Sequence, residues 1–309
     1  MRYYFAPLEG ITGYIFRNAH RRYFQGVDKY YAPFISTNQN HTFSNKEMRD
    51  VLPENNEGLS LVPQLLGKVA EDFISAAKVL ENMGYSEVNL NLGCPSGTVV
   101  TKGKGSGALA DTEKLSSFLE EIFQGTDISI SIKTRLGLRE AEEFHAILEI
   151  FNRYPVSELI IHPRVQSDFY KNTVNLDAFE KALNTSTNPV CYNGDIKTAE
   201  DCGGLIGRFP KTGSIMIGRG LVSDPSLAQK LRGGSAAEKE ALQAFHDELF
   251  GAYRQVFKND RNAIMRMKEF WTLFIEQFSY DEKQLKKMKK VTTAGEYDAL
   301  IAEIFRNIR

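Results

Sequence analysis

Short apolar runs and amphipathic helical stretches alternate along the first 235 residues of the chain. Residues 3–7 form the first run. A helix follows, its start marked by Thr12, with Ile15, Phe16 and Ala19 on one face. The second run covers 29–35, after which Pro53, Asn55 and Asn56 mark a polar loop. The third covers 59–66 and leads into a helix over 69–83. In the fourth, over 87–92, Val88, Leu90 and Leu92 alternate as a strand with one face in a core requires. Asp111 then caps a helix over 112–123. The fifth run, 128–135, precedes a helix over 140–154. Runs at 158–162, 189–193 and 214–217 complete the set, with helices around 176–183, 198–206 and 225–230. Eight strands, each followed by a helix-sized segment, predict an α/β fold: a (β/α)8 TIM barrel. A doubly wound sheet uses fewer strands and a GxGxxG turn after the first, where this chain has Pro7-Leu8-Glu9-Gly10.

After RGGSAA (232–237) only helical periodicity remains. Leu242, Phe245, Leu249 and Tyr253 share one face, and Ile264, Met267, Trp271, Phe274 and Phe278 another. Thr293 with Glu296 is a capping box opening a last helix that bears Leu300, Ile304 and Ile308. The expected organisation is therefore a barrel over 1–235 and an all-α helical bundle over 236–309. An appended bundle is more than a small substrate needs and points to a large partner, although it also serves as a plain packing cap.

Composition narrows this picture without redirecting it. With 38 Lys+Arg against 39 Asp+Glu, a polyanion has to be held by local basic patches, not by net charge. Three cysteines without CxxC spacing argue against a disulfide framework and a zinc site, and for a reducing cytoplasm. The opening MRYYFAPLEG lacks the apolar core of a signal peptide, and no run approaches the ~18 apolar residues of a membrane span.

Candidate chemistry gathers at the carboxyl ends of the strands, where barrels keep their active sites. Gly93 and Pro95 stop the fourth strand and present Cys94, followed by the loop KGKGSGAL. As a nucleophile Cys94 needs an activating base, which no local motif supplies; as a general acid it needs only to remain a thiol, the simpler role. Lys133 and Arg135 alternate at the end of the fifth strand. An unpaired ammonium in a barrel is costly, so Lys133 requires an anionic partner, either a flavin edge or an ion pair with Glu9 or Asp195. His162 and Arg164 alternate in the same way after the sixth strand, and Gln64 ends the third. Asn193-Gly194-Asp195 and Gly218-Arg219-Gly220 follow the seventh and eighth strands, a common barrel site for a phosphate.

With APLEGIT at Ala6, QLLG at Gln64, NLNLGCPS running into KGKGSGAL, IKTRLG around Lys133, IIHPR at His162, NGDI at Asn193 and IGRG at Gly218, the chain resembles the tRNA-dihydrouridine synthases over nearly its whole length. The resemblance implies FMN at the barrel mouth. Pro7, Leu8, Glu9, Gln64, Lys133 and His162 would hold its ring; Asn193, Gly194, Asp195, Gly218 and Arg219 would hold its phosphate. NADPH would reduce it, and a uridine flipped out of tRNA would take hydride at C6 and a proton at C5 from Cys94. Asn91, Arg135 and Arg164 would contact the uracil and a nearby phosphate. Arg261, Arg266, Lys268, the run Lys283, Lys286, Lys287, Lys289 and Lys290, and Lys102 and Lys104 beside the cysteine loop would track the tRNA backbone. Tertiary expectations are a cytoplasmic monomer with tRNA as partner and neither membrane nor metal. Pro163 and the Glu9-Gly10 pair depart from the commoner family pattern. Two rival readings stand beside this one: an FMN-dependent barrel oxidoreductase acting on a free small molecule such as a pyrimidine, and a non-catalytic RNA-binding module.

Overall fold

The computed structural model describes residues 1–278 and 282–306; Ile308, expected on the face of the last helix, lies outside them. Ten strands are present: β1 (Arg2–Phe5), β2 (Lys29–Tyr31), β3 (Ile35–Ser36), β4 (Leu61–Val62), β5 (Gln64–Leu66), β6 (Glu87–Leu92), β7 (Ser129–Thr134), β8 (Leu159–Ile161), β9 (Val190–Asn193) and β10 (Ser214–Ile217). They form one sheet in the order β3-β5-β6-β7-β8-β9-β10-β1-β2-β4. Because β2 pairs with β4 and β3 with β5, both in parallel, the two ends of that row belong to the same neighbouring staves. The ten segments are thus eight staves of a barrel. The second and third staves, expected as single strands, are each broken in two near Pro33 and at Pro63, since proline offers no N–H to the ladder.

Inside the barrel Tyr4, Ala6, Tyr31, Val62, Ile160, Cys191 and Met216 make a small packed cluster, separate from the large layer between strands and helices. At the end where the strands begin, the buried Glu158 accepts from Ser214 Oγ (2.5 Å), Tyr4 OH (3.2 Å) and Arg2 Nη2 (3.2 Å). That end is closed by packing, which leaves the carboxyl ends for chemistry. Cys191 and Cys202 are fully buried core residues.

Residues 45–51 differ from the sequence expectation of a loop: Asn45–Val51 is a helix. It has no apolar periodicity to betray it. Instead Ser44 and Glu47 close a capping box, and Arg17 ties to Asp50 at 3.5 Å.

Beyond the irregular linker come helices Lys239–Phe257, Asp260–Phe274, Glu282–Lys290 and Ala294–Arg306. The expected faces are buried, Phe278 only partly, and Thr293 and Glu296 exchange the capping-box bonds. Their core is pinned by Tyr297, whose hydroxyl accepts from Trp271 Nε1 (3.0 Å) and meets His246 Nε2 at 2.7 Å. The bundle does not hang free. Phe245 packs edge-on against Phe16 (5.6 Å) and His20 (6.4 Å) of the first barrel helix, Tyr14–Tyr23.

Candidate active site

Cys94 stands half-exposed at the end of β6, a free thiol whose backbone is fixed on both sides. The N–H groups of Gly93 and Cys94 donate to Asn91 Oδ1 at 3.0 and 2.9 Å. From there a file of buried amides runs across the barrel. Asn91 Nδ2 donates to Gln64 Oε1 (2.8 Å), Gln64 Nε2 to Asn89 Oδ1 (2.8 Å), and Asn89 Nδ2 to Ser131 Oγ (2.9 Å). On the far side the Cys94 carbonyl accepts from Ser106 N–H (3.1 Å) and Oγ–H (2.8 Å). The glycine-rich loop reaches this position because Gly105 sits at φ +57°, where a side chain would press on Cys94 O at 2.9 Å.

Beside this turn lies a cleft at the same end of the barrel. Pro7, Leu8, Lys133, His162, Asn193, Gly194, Asp195, Gly218 and Arg219 all line it, together with Tyr170 and Leu273. It holds about 870 Å³ of space, its open mouth included, the size of a small-molecule site. Strand pairing sets Lys133 opposite Asn91, three residues before the cysteine. The ion pair open to Lys133 does not form: Glu9 bonds Lys46 at 2.6 Å, and Asp195 is held by Arg164 and Arg219. Burial, and then the neighbouring Arg135 guanidinium, push the Lys133 ammonium down to about 8.

His162 Nε2 lies 3.0 Å from Arg164 Nη1. A guanidinium only donates, so Nε2 carries the lone pair and Nδ1 the proton. Burial, followed by the charges of Lys133, Arg135 and Arg164, holds this imidazole well below its usual range, so it is neutral at pH 7. The loops after β9 and β10 touch at Gly220, where a Cβ would overlap the Ile196 carbonyl oxygen. Asp195, at φ +39°, accepts from Arg164 Nη1 (3.1 Å) and Arg219 Nη2 (3.0 Å).

Several residues to which the resemblance gives roles make contacts within the protein. Glu9 faces away from the cleft, toward Lys46. Gln64 and Asn91 direct their amides to each other and to the Cys94 turn. Arg135 donates to three backbone carbonyls, of Gly93 (3.1 Å), Val165 (2.9 Å) and Phe169 (2.7 Å). Arg164 is committed to Asp195, His162 and the Asn172 carbonyl. Gln64, Asn91, Arg135 and Arg164 are almost fully buried. Among the lysines and arginines expected to track RNA, Arg266 donates to the Gly10 carbonyl, Lys268 to that of Lys289, Lys104 to that of Thr37, and Lys287 pairs with Glu303. Arg261, Lys102, Lys289 and Lys290 remain exposed. Sequence reasoning passed over Ser106, hidden inside a glycine-rich loop, and Tyr170, one of two adjacent aromatics in a polar stretch. Among the described residues no group of three or more acidic, His or Cys side chains is placed to hold a metal, and no helix is long and apolar enough to cross a membrane.

Fold and site together define a (β/α)8 barrel with a cationic cleft and one cysteine at its carboxyl face. The family model described as dihydrouridine synthase matches residues 4–306, and the chain belongs to that family. A "probable tRNA-dihydrouridine synthase" of Staphylococcus epidermidis is 27% identical over 277 residues, 87% of this chain and 83% of the relative. One of Staphylococcus aureus is 25% identical over 305 residues, covering 96% and 91%. Among solved structures, morphinone reductase superposes with a TM-score of 0.54 at 13% identity, over 77% of this chain and 87% of that one, a likeness of fold.

Proposed function

We propose that the protein reduces uridine in tRNA to 5,6-dihydrouridine, with FMN as cofactor and NADPH as its reductant. The observation that carries this reading is the Lys133 ammonium, which lines the cleft with no carboxylate paired to it among the described residues, close to the Cys94 turn. FMN fits the donor set. Lys133 would face the electron-rich N1–C2=O edge of its ring, with Pro7, Leu8 and His162 around it, and the glycine turns with Arg219 would meet its phosphate. Bound there, FMN supplies the hydride for C6 of the uracil.

The chain supplies the proton. Cys94, held at its amide by Asn91 and at its carbonyl by Ser106, offers its thiol to C5 of the flipped base. His162, neutral and fixed by Arg164, is a hydrogen-bonding wall of the cleft and no competing acid at pH 7. Exposed Arg261, Lys102, Lys289 and Lys290 would meet tRNA phosphates. Two measurements test the reading. Dihydrouridine in tRNA should fall when the gene is deleted, and an unchanged content with no compensating paralogue defeats the proposal. Cys94→Ala should stay yellow with bound flavin yet turn over at least ~100-fold more slowly, the usual scale of a lost general acid.

A further inference from the structure

From the loop after β8 we infer a stacking platform, made by Phe169 and Tyr170, for an unpaired RNA base next to the target uridine; this rests on the function proposed above. Exposed large apolar side chains are few among the described residues, and two of them, Phe169 at 43% and Tyr170 at 51%, are consecutive in the chain, with Tyr170 lining the cleft. Their positions are held, not incidental. Phe169 has φ +50° and ψ −100°, a backbone state that a non-glycine residue keeps only where its surroundings impose it. The imposing groups are Arg135, donating to the Phe169 and Val165 carbonyls, and Gln166 Nε2, donating to the Pro95 carbonyl at 3.0 Å. Both ties run to the Cys94 turn, since Arg135 also donates to the Gly93 carbonyl.

The Tyr170 ring lies 5.3 Å from the Arg135 guanidinium, 4.9 Å from that of Arg219, and edge-on to His162 at 6.0 Å. Tyr170 therefore spans from the cysteine side of the cleft to the side of the glycine turns. Phe169 stands outside the cleft lining, exposed and next to the cleft-lining Tyr170, with its carbonyl held by Arg135, a position open to a group that projects from the cleft. A base flanking the flipped uridine is such a group. Aromatic faces accept any base by stacking, and flanking cations suit the attached phosphates.

The test uses the FMN-loaded protein, tRNA lacking dihydrouridine and NADPH. Phe169→Ala should raise KM for tRNA about tenfold while flavin reduction by NADPH alone and kcat at saturating tRNA stay within about twofold. Phe169→Gly, which tolerates the backbone state, should retain flavin and fold yet show the same raised KM. An unchanged KM in Phe169→Ala and Phe169→Gly overturns the platform. Slower flavin reduction with unchanged KM also overturns it, assigning the loop to the nicotinamide instead. Absence of tRNA reduction by wild-type holoenzyme would instead strike the proposed function itself.

Discussion

Lys133 stands in the cleft with a pKa near 8, against about 10.4 for an unperturbed lysine. Between those values the unfolded chain holds more protons than the folded one, so this residue makes stability rise with pH across that window. The penalty is fully present below pH 8 and gone above the unfolded pKa. In cofactor-free protein the difference in melting temperature between wild type and Lys133→Met should therefore shrink from about pH 8 to pH 10, with the variant the more stable at pH 7. A difference independent of pH would refute the assignment. The same variant should bind FMN at least tenfold more weakly, measured by flavin fluorescence quenching. Cys94 could be found from one line of sequence because a strand ended by Gly93 and Pro95 can present only one side chain there. The internal roles of Arg135, Arg164 and Gln64 were not legible. Long polar side chains reach across elements, and which carbonyl or amide they find depends on distances that no local pattern encodes.

At the scale of elements, the joint between the loops after β9 and β10 depends on Gly220 having no side chain. Gly220→Ala should force the Ile196 carbonyl away, cost on the order of 1–3 kcal/mol as overpacking does, and release FMN. Denaturant midpoints and the flavin content of purified protein check this; a fully flavinylated variant of wild-type stability would contradict it. The eight staves were readable from their spacing and apolar alternation. Their interruption was not anticipated: Pro33 and Pro63 fall inside runs expected as single strands, and only the pairing of β2 with β4 and β3 with β5 shows how the ladder continues around each break. The helix Asn45–Val51 was missed for a related reason, since capping and a long-range arginine, not periodicity, hold it.

For the molecule as a whole, an aromatic seam joins barrel and helical bundle. Phe245, fully buried, meets Phe16, Tyr23, Phe24, Phe270 and Phe274. His20, pushed down to about 3 by burial, stays neutral within it, accepting from Tyr30 and donating to the Pro225 carbonyl. Phe245→Ala should cost about 3–5 kcal/mol, as large-to-small core changes do. It should lower the melting of barrel and bundle together, with flavin release and helix loss coinciding. Two separated transitions in the wild type would show that the seam is not a shared core.

The order of apolar and polar residues determined that eight staves alternate with helices, that a helical bundle follows, and that cysteine, lysine, histidine and glycine turns meet at one end. Those are consequences of periodicity and chain direction, which act locally. Tertiary structure alone decided which polar groups face the cleft and which are spent bracing it, and where the exposed cations remain. The physical reason is that a hydrogen bond is satisfied by whichever partner lies within about 3 Å, and closing the barrel brings together donors and acceptors far apart in the chain.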